Sequence, residues 1–198
     1  MNSFAANGIT AAILAGGAGS RLGGSDKGLQ SLAGKAMVAH VIDAIHPQVG
    51  SILLCVNRNR DQYAAFAPTC IDDISDYRGP LAGIAAAAAM CATPWLLTLP
   101  VDSPQPPADL AQRLLGAAEK VHASIAVAHD GKRRQPLFAL YSADSAARAQ
   151  SALARDLAVW RWQDECGALD VDFSDQADAF VNLNMADDFR RWEADHHA

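Results

Sequence analysis

A short apolar run, Ile9 to Ala15, empties into a loop that carries Gly16, Gly17, Gly19, Gly23, Gly24 and Gly28. An apolar run of this length bounded by glycines reads as a buried strand. Glycine tolerates dihedrals that other residues resist, so successive backbone N–H groups can turn toward a single anion. Arg21 and Lys27 add full positive charges to the same loop. A nucleotide phosphate is therefore expected there. Two known phosphate loops are excluded by spacing. A Walker A loop needs Lys-Ser/Thr after its last glycine, but Leu29 and Gln30 follow Gly28, and Ser25 and Asp26 follow Gly24. A dinucleotide fingerprint begins at Gly17 and Gly19, but Leu22 stands where its third glycine belongs.

Further apolar runs recur at Ser51–Val56, Trp95–Leu99, Ser124–Ala128 and Leu137–Tyr141, with helix-like stretches at 36–46, 80–92 and 107–120 and helical pattern over 145–163. Strands alternating with helices argue for an α/β fold with a mostly parallel sheet covered on both faces. Ligands of such sheets bind beyond the carboxyl ends of the strands. The residues just past each run are therefore the candidates. After the second run comes Asn57-Arg58-Asn59-Arg60, which reads either as a polar turn capping the next helix or as a ligand contact. After the third comes Asp102, fixed by Pro100 and Pro104 at a rigid corner, which reads as a helix cap or as a carboxylate presented to a ligand. Gly79-Pro80 marks a turn into a helix, since proline is well placed at a first helical position. His129 to Arg134 is a basic turn between strands, either a solvated hairpin or a contact for an anion.

At 198 residues, 51% of them hydrophobic, the chain has the material for one well-cored domain. Residues 1–8 are expected to be a flexible lead-in. The net charge of −6 argues against a nucleic-acid partner held by a basic face. Four widely spaced cysteines without a C-x-x-C pair suggest neither a disulfide framework nor a zinc site, but buried thiols in a reducing compartment. The first residues, MNSFAANG, lack a basic leader, and no stretch approaches the length of a membrane span. A cytoplasmic monomer with no membrane partner is expected.

The run L-A-G-G-x-x-x-R-L-G-G-x-D-K-G, Leu14 to Gly28, resembles the signature of nucleotidyltransferases with a three-layer Rossmann-like fold. Within them it is similar to the bacterial molybdenum cofactor guanylyltransferases. The G-P-L-A-G stretch from Gly79, the L-P-x-D-x-P pattern around Asp102 and the F-V-N-x-N segment at 180–184 extend the likeness to nearly the whole chain. The resemblance implies transfer of GMP from GTP to the terminal phosphate of Mo-molybdopterin, with pyrophosphate released. It implies nucleotide contacts at Leu14, Ala15, Gly16, Gly17, Arg21, Lys27, Asn57, Asp73, Gly79, Pro80, Leu81 and Asp102. Arg21, Lys27 and Asp102 would carry the catalysis, and Asp102 would hold Mg²⁺. Gln135, Asn182 and Asn184 would meet the acceptor. Cys55 stands where the family has a base-contacting Asn, and Asn57 and Arg58 match the pair that follows. Transient contacts with cofactor-delivery proteins or molybdoenzymes would complete the partners. Leu14-Ala15-Gly16-Gly17 resembles the GTP-using branch, whereas cytidylyltransferases acting on the same acceptor begin L-A-A-G. The rival readings are such a CTP-using enzyme, a sugar-phosphate nucleotidyltransferase, and a GTP-binding regulatory module without catalysis.

Overall fold

Every residue of β1 (Ile9–Leu14) is buried, as a strand covered on both faces must be. The computed structural model describes residues 6–16, 26–71 and 79–196. In it, Ile9, Ala11 and Ile13 pack into one apolar layer and Ala12 and Leu14 into another, the period-two alternation of a strand. Past the glycine loop, a 3-10 turn (Lys27–Leu29) leads to a small hairpin, β2 (Ser31–Leu32) and β3 (Lys35–Ala36), and then to α1 (Met37–Ile45). The chain continues through β4 (Ser51–Val56), α2 (Arg60–Ala64), β5 (Thr69–Ile71), α3 (Pro80–Met90) and β6 (Trp95–Pro100). Next come α4 (Leu110–Val121), β7 (Ile125–His129) and β8 (Arg134–Ser142). Three short helices follow, α5 (Ala143–Ala147), α6 (Ala149–Ala154) and α7 (Val159–Glu165), then β9 (Leu169–Asp172), a 3-10 stretch (Ser174–Phe180) and α8 (Ala186–His196).

Seven strands form one sheet in the order β5-β4-β1-β6-β8-β7-β9. β8 runs against both its neighbours, and the other pairings are parallel. The expected α/β architecture with a mostly parallel central sheet is therefore present. One face carries α1 and α4, through Val38, Val41, Ile45, Leu110 and Leu114. The other carries α3, α6 and α7, through Ile84, Ala149, Leu153 and Trp162. The chain winds outward from β1 to β4 and β5, then returns past β1 to β6. The winding thus reverses between β1 and β6, which are in register with Leu14 opposite Pro100. Open α/β sheets bind their ligands at such a reversal, beyond the carboxyl ends of the strands.

All five apolar runs are strands, and the three helix-like stretches are α1, α3 and α4. The stretch 145–163, read as helical, is divided among three helices: α5 and α6 meet at Arg148, and Asp156, with a left-handed φ of 54° that no continuing helix allows, ends the run before α7. The hairpin β2–β3, the three-residue β5 and β9 carry too few residues for a periodic signal. Among the described residues no helix is long and apolar enough to cross a membrane.

Candidate active site

The loop leaving β1 and the corner leaving β6 are tied together by the Val101 N–H, which donates to the Leu14 carbonyl at 3.2 Å. The Ala15 N–H donates to the Cys55 carbonyl at 2.9 Å, so the end of β4 joins the same edge. Leu14, Gly16, Cys55, Gly79, Pro80 and Gly83 line one small cleft there. Gly79 adopts φ +74°, a conformation that favours glycine, and Pro80 opens α3 at its first position, where its missing N–H costs nothing. Leu81 is buried behind them. A larger cavity, of about 490 Å³, opens between Gly79–Leu81, Pro136–Leu137 and residues 156–160. Asn57 is exposed at the end of β4.

Lys27 begins the 3-10 turn that follows the glycine loop. Its Nζ donates to Asn184 Oδ1 at 2.5 Å and lies 3.6 Å from Asp102 Oδ2. Both side chains of the ion pair are mostly enclosed, Lys27 25% and Asp102 20% exposed. Burial pushes the Asp102 carboxyl above the usual carboxylate range, and Lys27 pulls it part of the way back. Asp102 is thus a desolvated carboxylate with incomplete compensation, ready to take a further positive charge. Among the described residues, no group of three or more His, Cys, Asp and Glu side chains is placed to hold a metal. A lone carboxylate suits a hard cation that completes its shell with phosphate and water oxygens.

The C-terminal segment closes over this corner. The Leu183 N–H donates to the Asp102 carbonyl at 2.8 Å, and buried Ser103 donates through Oγ to Asn182 Oδ1 at 2.6 Å. Asn184 does not cap the last helix with its Oδ1, which accepts from Lys27; Asp188, in that helix's first turn, reaches back with Oδ2 to accept the N–H groups of Asn184 and Met185 at 2.9 and 2.8 Å. Gln135 is buried, and its amide donates to Asp130 Oδ2 at 2.6 Å, holding the β7–β8 turn. Lys27, Asp102, Asn182 and Asn184 are therefore brought together, while Gln135 is committed to a neighbouring turn. Gly17, Arg21 and Asp73 lie outside the described residues.

The sequence reading gave no role to Asp26, Tyr63, Ser103 or Asp188. Asp26 had two available signals, its specified place in the D-K-G end of the signature and its position two residues ahead of the Gly28 N–H that it caps at 3.2 Å.

A cation and a carboxylate face each other where a parallel sheet reverses its winding, the place where open α/β sheets bind their ligands, and the family match makes the class an NTP transferase. Residues 11–169 match the MobA-like NTP transferase domain. The chain is 42% identical to the molybdenum cofactor guanylyltransferase of Photobacterium profundum, covering 91% of this chain and 93% of that one. It is 45% identical to that of Shewanella sediminis, over 89% and 91%. In fold it is similar to the crystal structure of molybdopterin-guanine dinucleotide biosynthesis protein A from Archaeoglobus fulgidus, at TM-score 0.74 and 20% identity, covering 93% and 97%. The chain belongs to the MobA-like NTP transferase family.

Proposed function

We propose that this chain transfers GMP from GTP to the terminal phosphate of Mo-molybdopterin, yielding the guanine dinucleotide form and pyrophosphate. The observation that carries the reading is Lys27, held between Asp102 and Asn184 where β1 and β6 end. The names of the relatives supply the base and the acceptor.

The acceptor is a phosphate monoester, whose second pKa near 6 leaves it largely ionised at neutral pH. It needs no general base. The barrier lies in bringing two anions together and in the charge that shifts to pyrophosphate, so positioning and neutralisation dominate. Lys27, with Arg21, binds the triphosphate, and the amides of Gly16 and Gly17 cradle it. Leu14, Ala15, Gly79, Pro80 and Leu81 shape the cleft for base and ribose, with Asn57 and Asp73 as further contacts. Asn182 and Asn184 receive the acceptor, and Gln135, whose amide holds the β7–β8 turn through Asp130, would meet it with its remaining polar atoms. Asp102 would hold Mg²⁺, and its desolvated carboxylate fits that ion. Bound there, the ion would supply charge neutralisation on phosphate oxygens. The protein works as a cytoplasmic monomer and meets delivery proteins or molybdoenzymes transiently.

The test incubates the purified protein with Mg²⁺, molybdopterin and each nucleoside triphosphate in turn, and measures pyrophosphate and dinucleotide. Dinucleotide with GTP alone is expected. Product mainly with CTP would overturn the base, and no product with any triphosphate would overturn the reaction.

A further inference from the structure

The Asp26 side chain is more enclosed than either partner of the Lys27–Asp102 pair, at 6% exposed. Its carboxylate gathers donors from two stretches of chain. From its own turn comes the Gly28 N–H, at 3.2 Å. From the segment leaving β4 come the Tyr63 hydroxyl at 2.5 Å and the Asn59 amide at 2.9 Å, and the Arg58 guanidinium adds an ion pair at 3.5 Å. Tyr63 is fully buried. Burial first, and the bond to Asp26 second, push its pKa far above the ordinary tyrosine value, so the hydroxyl remains a donor. The turn presses directly on the phenol: a Cβ added at Gly28 would stand 2.3 Å from Tyr63 Oη.

An apolar pair would join α2 to this turn at least as well as an enclosed carboxylate does, because burying charge is costly. What the carboxylate adds is direction. Donors converging on its two oxygens fix the residue that caps the turn, and Lys27 is the first residue of that turn. We propose that Tyr63 and Asp26 are positioning residues for Lys27. They aim its ammonium at the triphosphate before the nucleotide arrives, and they tie the phosphate side of the cleft to the end of β4. The kinetic part of this inference rests on the guanylyl-transfer reading, whereas the positioning itself does not.

The test uses Tyr63→Phe in the full chain, which keeps the ring and removes one donor. With wild type as reference, kcat falls on the order of tenfold, as sub-ångström misplacement of a catalytic group implies, while KM for GTP changes less than about twofold. Asp26→Asn, which keeps an acceptor oxygen for Tyr63, retains more activity than Asp26→Ala. Without nucleotide, hydrogen exchange at the Gly28, Leu29 and Gln30 amides quickens on the order of tenfold in Tyr63→Phe, while β1 and β6 amides are unchanged. A purely structural role would move all these amides with the melting temperature, and that result would overturn the proposal. Unaltered exchange at residues 28–30 would also overturn it, as would an unaltered kcat. If wild type itself fails to turn over GTP, the guanylyl-transfer reading falls and the exchange measurement alone decides the positioning.

Discussion

Among the described residues, Lys27 and Asp102 form the ion pair of the cleft, and burial leaves Asp102 above the usual carboxylate range despite its partner. Lys27→Ala and Asp102→Asn should each lower kcat by about 10²–10³, or about 2.7–4 kcal/mol of barrier, as loss of one preorganised electrostatic group does. Their double variant should lose less than the sum, because residues in direct contact act as a unit. Steady-state kinetics on the three variants, with melting temperatures as the control for folding, checks both expectations. Both positions were readable from sequence as candidates, a cation in a glycine loop and an acid just past a buried strand, although Asp102 read equally as a helix cap. Asp26 and Tyr63 were not, since the bond between them joins positions 37 apart and follows no spacing rule. Nor did the sequence show that Gln135 turns to Asp130, a contact made by the closure of a hairpin.

Among elements, the entry to α8 illustrates how a helix end serves the site. Asp188 lies in the first turn of α8 and accepts two backbone N–H groups just ahead of it, including that of Asn184. The N–H groups of Met185 and then Asn184 hold its carboxyl below the usual carboxylate range. A depressed folded-state pKa contributes stability that is present above the unfolded value, near 3.8. That contribution is lost as pH falls through the folded value. Asp188→Ala should therefore lower the melting temperature only slightly at pH 7, because its carboxylate is largely solvated. The difference from wild type should vanish in acid, which thermal melts across pH would show. The turn carrying Lys27 is constrained from the opposite side. Gly28→Ala forces a Cβ to within 2.3 Å of Tyr63 Oη and 3.0 Å of Val101 Cγ2. Overpacking of this kind should destabilise by about 1–3 kcal/mol. Because the clash displaces the turn, kcat should fall as well, in contrast to Asp188→Ala, which leaves Lys27's own turn in place.

Across the whole molecule, the order of strands and helices followed from apolar runs bounded by glycines and turns, with helical spacing in α1 and α4 and the Gly79-Pro80 turn marking the alanine-rich α3. The docking of the C-terminal segment did not, since it depends on a few side chains from distant positions. Phe189 and Trp192 of α8 pack on Leu32, Met37 and Leu183, a small core apart from the two that flank the sheet. Trp192 also meets His40 edge-on at 5.2 Å, and Glu193 Oε1 accepts the Ala33 N–H at 2.8 Å. Leu183 therefore has its side chain in this small core and its N–H on the Asp102 carbonyl. The core thus sets where Asn182 and Asn184 stand against Ser103 and Lys27. Trp192→Ala should remove at most about 3 kcal/mol, the low end for a buried tryptophan, because Trp192 is only half-buried. The main sheet should stay folded, since neither flanking core includes this residue. The small cleft proposed for base and ribose, built from β1, β4 and the start of α3, should be untouched. KM for the molybdopterin acceptor should accordingly rise several-fold while affinity for GTP, measured by direct binding, changes little. The opposite split, with weakened GTP and unchanged acceptor, would assign residues 182–184 to the nucleotide through Lys27 and leave the acceptor to the 490 Å³ cavity beside Pro136.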